Sequence, residues 1–160
     1  ADLPRVGVAF ELPEAFARVR WFGRGPHECY PDRQSSALVG IWESGPDELP
    51  YLVPQEFGLR TDCRWFELVA PSLGLALRIT ALDGLLLHCS ATHHRAADLD
   101  AAMDRLALVR RDGLVVHVDV AHRGLGTASC GPDVLDRYRI PAGRHALAYR
   151  IDVVPAEGAT

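Results

Sequence analysis

The chain has 160 residues, of which 48% are hydrophobic and 24% charged, and its formal net charge is -4. This composition is typical of one globular domain, and the length excludes a (β/α)₈ barrel, which needs roughly 250 residues. All 17 basic residues are arginines without a clustered patch, and no window is apolar enough to cross a membrane, so we expect neither a nucleic-acid nor a membrane partner.

Period-two alternation of apolar residues predicts β-strands in the first half of the chain. Val6, Val8, Phe10 and Leu12 alternate with smaller or polar residues, and Pro13 ends the run. The strands predicted in this half are Arg5–Leu12, Ala17–Gly23, Leu38–Trp42, Tyr51–Val53, Arg64–Val69, Leu75–Ala81 and Leu85–Ser90. Residues 23–34 contain glycines and prolines without a period, which indicates a loop.

The second half contains one predicted helix among further strands. Leu99, Met103 and Leu106 have helical spacing, which predicts a helix over Ala96–Leu108, centred near 96–106, with Asp98 as its cap. The strands predicted here are Leu114–Ala121, Tyr138–Ile140 and Ala146–Val154, and residues 123–133 form a Gly-rich loop. The fold class is therefore an all-β antiparallel sandwich in a single domain over 1–155, with a disordered tail at 156–160.

The cysteines indicate a reduced, cytoplasmic protein. Cys29, Cys63, Cys89 and Cys130 are far apart, without the two-to-four-residue spacing of a zinc site or the density of a disulfide framework. The N-terminal segment has no basic start followed by an apolar stretch, so it does not resemble a signal peptide. Cys130 lies in the Gly-rich loop, but no His/Asn frame supports a nucleophilic role.

Other short patterns could carry chemistry, and each has a structural alternative. Gly124-Leu125-Gly126 resembles part of a dinucleotide loop but lacks the third glycine and the following helix. Strand alternation sends neighbouring residues to opposite faces, which disfavours a metal site built from His88, Cys89, His93 and His94.

Acidic residues near histidines and arginines form a second group of patterns. His117 and Asp119 share a strand face and could pair. Glu28 and Asp32 stand in the loop GPHECYPDR, where acidic residues usually cap backbone N–H groups or pair with an arginine such as Arg24 or Arg33. Glycoside hydrolysis needs two facing carboxylates, and no pattern selects such a pair here.

Three motifs occur in one order along the chain. The first motif, G-x-G-P-x-E-x-Y-x-D-R, and the second, P-x-E-x-G-x-R, are followed by a late D-x-x-x-x-G-x-G loop that begins at Asp119 and continues through Ser129, Cys130, Gly131 and Pro132. These motifs resemble those of the C-terminal domain of β-galactosidases of glycoside hydrolase family 2. The matching residues of the first two motifs are Gly25, Pro26, Glu28, Tyr30, Asp32, Arg33, Pro54, Glu56, Gly58 and Arg60. Together the motifs extend over nearly the whole chain.

The resemblance implies the C-terminal portion of a β-super-sandwich, the fold of galactose-mutarotase-like proteins. It implies no catalytic residue and no metal ligand in this chain, since the family's glutamates lie in a barrel domain and its magnesium and sodium ligands in other domains. The late loop reaches the barrel's active site in the family, so Ser129, Cys130 and Gly131 are candidate substrate-binding residues. Cys130 stands where the family presents a tryptophan, and a thiol offers little flat apolar area to a sugar.

We therefore expect a non-catalytic domain of an enzyme that hydrolyses terminal β-D-galactosides. Its expected partners are the catalytic barrel and other domains of that enzyme, a β-galactoside substrate and a second copy of itself. Two alternatives stay open. One is a free-standing carbohydrate-binding or mutarotase-like domain, for which His117 and Glu56 are the nominated acid–base pair, and the other is a purely structural interaction module.

Overall fold

The computed structural model describes residues 2–46, 56–126 and 131–156. Nine strands, one α-helix and two 3-10 helices follow one another in the described part of the chain. The strands are β1 (Arg5–Leu12), β2 (Arg18–Gly25), β3 (Leu38–Ser44), β4 (Arg60–Cys63), β5 (Trp65–Ala70), β6 (Leu75–Ala81), β7 (Leu87–Thr92), β8 (Leu114–His122) and β9 (Tyr149–Pro155). The helix α1 is Ala96–Ala101, and the 3-10 helices are Pro71–Leu73 and Asp136–Tyr138.

The strands form two antiparallel sheets. The four-stranded sheet has the order β1-β8-β7-β4, and the five-stranded sheet has the order β3-β2-β5-β6-β9. All strand pairs between these elements are antiparallel. The prediction of an all-β sandwich with one short helix is confirmed.

The core lies between the two sheets because alternate residues of each strand point inward. Trp21 on β2 and Phe66 on β5 are cross-strand neighbours and are both buried. Leucine, valine and isoleucine fill most of the remaining core, with Cys63 and Cys89 among them. The buried core residues of the central strands are Val19, Trp21, Phe66, Leu68, Ile79, Leu87, Cys89, Leu114, Val116 and Val118.

The helix is shorter than its sequence pattern predicts. It ends at Ala101, and Ala102 has the extended backbone angles φ -77 and ψ 125. Leu99 is buried, but Met103 and Leu106 are 95% and 98% exposed, so nothing packs against the rest of the apolar stripe to support further turns. Arg95, rather than Asp98, is the N-cap, and the Asp98 carboxylate accepts the Arg95 N–H at 2.8 Å.

Two strand predictions need correction. The prediction of a strand from Arg64 missed the short strand β4 that precedes it and pairs with β7. Its polar side chains hide the alternation of apolar residues from which strands are predicted. The predicted strand Tyr138–Ile140 is instead the end of a 3-10 helix, followed by a single antiparallel bridge between Ile140 and Leu3. A longer strand does not form here because none of the described strands pairs with this segment. The predicted strand Tyr51–Val53 and residues 157–160 of the predicted tail lie outside the described residues.

The outer face of the four-stranded sheet is covered over its inner strands β7 and β8, although antiparallel sheets commonly leave one face to solvent. Ser90, Thr92 and Asp119 lie on this face, yet each is buried. Residues 56–57 and helix α1 pack over these strands, whereas Ala9 on edge strand β1 is exposed. The outer face at β7 and β8 therefore contains buried polar side chains, and the candidate site lies there.

We predict that the isolated chain self-associates through the edges of the five-stranded sheet. Ile151 and Val153 on edge strand β9 lie opposite the core residues Ile79 and Leu77, but they are 47% and 69% exposed. An edge strand with exposed apolar side chains favours pairing with another strand. Sedimentation over a concentration series should show a mass that rises with concentration.

The double substitution of Ile151 and Val153 to lysine should abolish this concentration dependence. Met103→Lys is the matched control because Met103 is equally apolar and fully exposed but lies off the sheet. A parent chain that is monomeric at all concentrations would contradict the prediction.

Candidate functional site: carboxylates that join three loops

Two carboxylates of the loop after β2 reach across to separate loops of the chain. Glu28 contacts the segment before β4, and Asp32 contacts the Gly-rich segment after β8. Within the loop, Tyr30 and Arg33 form a tight turn through reciprocal backbone hydrogen bonds of 3.2 and 2.8 Å. This turn places the two carboxylates at their contacts, so the three motifs of the sequence meet in space.

Asp32 anchors the start of the Gly-rich segment. Its two carboxylate oxygens accept the N–H of Leu125 at 3.1 Å and of Gly126 at 2.7 Å. A Cβ atom at Gly124 would lie 2.6 Å from the Asp32 Cγ, so only glycine allows the carboxylate to approach this closely. Backbone N–H groups in an irregular segment have no strand partner, and the carboxylate satisfies two of them.

Glu28 performs the same task at a second loop. One oxygen accepts the Gly58 N–H at 2.7 Å, and the other pairs with Arg33. Gly58 has a φ of +77°, a backbone conformation that L side chains rarely adopt. The Arg33 guanidinium also lies over the Tyr30 ring, 5.1 Å from its centroid.

A charged network lies beside these contacts on the outer face of the four-stranded sheet. Arg5 of β1 donates to Asp119 through Nε at 2.9 Å and Nη2 at 2.6 Å, and to Glu56 through Nη1 at 3.1 Å. The His122 Nε2 lies 3.6 Å from Glu56 Oε2, and the Tyr30 ring packs edge-on against His122 with centroids 5.6 Å apart. Arg5 thus links the second motif to the third.

The environment shifts the pKa of both acids in this network. Burial raises the pKa of Glu56, but the hydrogen bond with His122 and the positive charge of Arg5 outweigh it, so the net shift is downward. Burial raises the pKa of Asp119, and Arg5 offsets this only in part. The network therefore consists of paired groups that satisfy one another.

Two of the remaining motif residues, Arg60 and Gly25, pack against tryptophan side chains. Arg60 is buried, with its guanidinium 4.6 Å from the centroid of the Trp21 ring. Gly25 precedes Pro26 in a cis peptide bond, and the Trp42 indole packs directly over it. Gly131 is exposed, whereas Ser129 and Cys130 lie outside the described residues. Their substrate-binding role stays a prediction.

Two contacts depart from the sequence reasoning. Arg24 pairs with Asp62 at 2.6 Å, not with Glu28 or Asp32. Asp119 pairs with Arg5, and its strand neighbour His117 takes no part in that ion pair. The partners of these groups are 38 and 114 residues away, so no local signal in the sequence could identify them.

The alternative sites have no support in this geometry. Cys89 lies in the core while His88 lines an outer cleft, so these neighbours are on opposite faces of β7. Across residues 2–46, 56–126 and 131–156, no group of three potential metal ligands occurs. The same part of the chain has no helix with the length and apolarity needed to cross a membrane.

His117 and Glu56, the nominated mutarotase pair, line one small cavity together with Arg5, Ser90 and Thr92. Its volume of about 30 Å³ admits a water molecule or two. A sugar ring does not fit, and the geometry does not favour this pair as an acid and base across a substrate.

Fold and site define the class of this protein, a β-sandwich domain whose long loops are joined by the partly buried carboxylates of Glu28 and Asp32. The family model for the beta galactosidase small chain matches residues 1–152. The chain belongs to this family, which confirms the β-galactosidase small-chain domain predicted from the motifs.

Named relatives agree with this membership. The beta-galactosidase of Vibrio cholerae is 40% identical over 126 residues, which are 78% of this chain and 11% of that protein. The beta-galactosidase of Arthrobacter sp. is 35% identical over 153 residues, or 92% of the chain and 15% of the relative. That of Kluyveromyces lactis is 34% identical over 143 residues, or 88% and 14%. The chain thus spans only 11 to 15% of these relatives' length.

We predict that Asp32→Ala lowers the free energy of unfolding by roughly 1–3 kcal/mol, because it leaves two backbone N–H groups without an acceptor. Urea unfolding at pH 7.5 measures this loss. Asp136→Ala is the matched control, because the Asp136 side chain is 97% exposed, and its effect should stay within about 0.5 kcal/mol. Equal stability of the two variants would contradict the anchoring role of Asp32.

We also predict that the chain loses stability below pH 6.5. Burial lowers the pKa of His88 and of His117 to about 4. The unfolded chain takes up these protons near pH 6.5 and the folded chain only near pH 4, so each histidine removes up to about 1.4 kcal/mol per pH unit within this window. Arg5, Glu56 and His122 act on His117, while Asp62 and His122 act on His88.

Urea unfolding at several pH values between 7.5 and 4 tests this dependence. His88→Gln and His117→Gln should each make the curve flatter, whereas His145→Gln, at an exposed position, should leave its slope unchanged. The raised pKa of Asp119 acts in the opposite direction, because the folded chain takes up that proton first as the pH falls. Comparison with the histidine variants separates the two effects, and equal slopes in all variants would refute the assignment.

Proposed function

We propose that this chain is a non-catalytic domain of a larger β-galactosidase that hydrolyses terminal β-D-galactosides, a glycosidase of glycoside hydrolase family 2. The observation that carries the proposal is the anchored Gly-rich segment, whose position the Asp32 carboxylate fixes through Leu125 and Gly126. The resemblance to the family implies that this loop, residues 123–133, lies at the mouth of the substrate pocket. Membership of the family, whose named relatives are far longer, supports a role within a larger protein.

The division of roles in the proposal is what the resemblance to the family implies. This chain supplies the loop with Ser129, Cys130 and Gly131 and a surface for assembly, while the catalytic carboxylates and the metal ions belong to other domains. The partners are the barrel domain and further domains of the same enzyme, and the compartment is the cytoplasm. A loop whose start is fixed by hydrogen bonds to Asp32 needs less ordering when substrate binds, which is how a non-catalytic domain can assist catalysis.

The proposal predicts that the 160-residue chain alone does not hydrolyse a chromogenic β-galactoside. Turnover by the purified chain that a single Asp or Glu replacement abolishes would overturn its non-catalytic role. The chain should instead function when it replaces the matching segment of the Vibrio cholerae β-galactosidase.

Within that chimera, Asp32→Ala should lower kcat/KM by about 10- to 100-fold, because a displaced loop positions the substrate poorly. Asp136→Ala serves again as the control and should retain the parent activity. An active chimera whose Asp32→Ala variant keeps full kcat/KM would contradict a role of the loop in the substrate pocket. It would not contradict membership of the family.

A further inference from the structure

A second cleft lies on the outer face of the four-stranded sheet, beside the start of the Gly-rich loop, where the Gly124 N–H donates to the carbonyl oxygen of Tyr138 at 3.0 Å. Its volume is about 300 Å³, near the lower limit of small-molecule sites. The polar side chains that line it come from five separate parts of the chain: Gln34, Asp62, His88, His122, Arg137, Tyr138 and Arg139. No motif of the sequence analysis assigns a role to Asp62, His88 or Tyr138.

A β-bulge directs Asp62 at this cleft. The pairing of β4 with β7 shifts between Arg60 and Cys63, and Asp62 has a φ of +55°. Bulges often re-aim a side chain beside a binding site. The Nε–H of Arg24 donates to the Asp62 Oδ2 at 2.6 Å, which fixes the orientation of the carboxylate. The other oxygen, Oδ1, accepts no hydrogen bond from the described residues.

His88 brings an unsatisfied polar atom to the same cleft. Its Nδ1 is buried and has no hydrogen-bond partner in the described part of the chain. A buried polar atom without a partner costs free energy unless a water molecule or a ligand satisfies it. Burial lowers the pKa of His88 to about 4, so the ring is neutral at pH 7 and can donate one hydrogen bond and accept another.

The charges of the lining select the class of ligand. The Asp62 carboxylate repels an anion, and Arg139 is already engaged by Asp133 and Asp136. Arg137 also lines the cleft, with its guanidinium 4.8 Å from the centroid of the Tyr138 ring, and its charge disfavours a cation. A neutral molecule with several hydroxyl groups suits a lining of neutral histidine, amide, phenol and carboxylate.

We propose that this cleft binds one neutral pyranose sugar through Asp62, His88 and Gln34. Its size accommodates a single ring rather than an oligosaccharide. The proposal does not rest on the role of the Gly-rich loop in the proposed function.

An NMR titration of the 160-residue chain with D-galactose and D-glucose tests the proposal. At least one sugar should produce saturable shifts with a millimolar Kd, centred on the amides of Asp62, His88 and Ala121. Asp62→Asn keeps a side chain that tolerates the positive φ and should raise Kd about tenfold. His145→Gln, at an exposed position outside the cleft, should leave Kd unchanged.

Localised shifts in the unmodified chain test the site even if a variant fails to fold. The proposal is overturned by the absence of saturable shifts at about 100 mM of either sugar, since such binding would be too weak to be specific. Tighter binding of inorganic phosphate than of sugar, or an Asp62→Asn variant with the parent Kd, would each overturn it as well. Because the titration does not measure hydrolysis, its failure leaves the proposed function intact.

Discussion

The hydrogen bonds that backbone N–H groups of irregular segments donate to carboxylates are the constraint on which this end of the molecule depends. Glu28 and Gly58 are 30 residues apart, and Asp32 and Leu125 are 93 apart, so each bond closes a long stretch of chain. Such bonds involve an ionised acceptor and are stronger than neutral ones. They replace the ladder that a strand would supply, and therefore loops without secondary structure keep a defined position.

The two sheets handle their outer faces in different ways. The outer face of the five-stranded sheet carries a row of ion pairs in which Glu67, itself buried, lies between Arg20 and Arg78. The four-stranded sheet is instead covered by loops, and its buried Asp119 requires Arg5 as a partner because an unpaired buried charge is costly. The loops that bury Asp119 are thus also the reason that this carboxylate needs Arg5 as its partner.

Periodicity predicted most of the strands because their apolar residues face a real core. The prediction failed where a polar side chain is buried or where an apolar side chain is exposed. Thr61 is buried in β4 although it is polar, so the pattern did not indicate a strand there. The stripe of Met103 and Leu106 has helical spacing but no surface to pack against, and the helix ends before it.

The site was predictable to the extent that its contacts are local or belong to a resemblance. The pairing of Glu28 with Arg33 spans five residues and follows from the loop composition. Arg5 stands in an ordinary strand pattern, and only the pairing of β1 with β8 brings it to Asp119. The cleft at Asp62 depends on a bulge, a feature of register that alternation along one strand does not reveal.

His122 borders both the charged network and the polar cleft, and the two sides differ in how their groups are satisfied. On the network side, Arg5, Glu56 and Asp119 neutralise one another, so a ligand would have to break existing ion pairs to bind there. On the cleft side, Arg24 already pairs with Asp62, and the buried Nδ1 of His88 has no hydrogen-bond partner among residues 2–46, 56–126 and 131–156. Groups that are ordered in advance but unsatisfied lose little entropy on binding and gain a hydrogen bond. The charged residues of the network are therefore satisfied by one another, whereas polar side chains of the neighbouring cleft keep atoms that a ligand can satisfy.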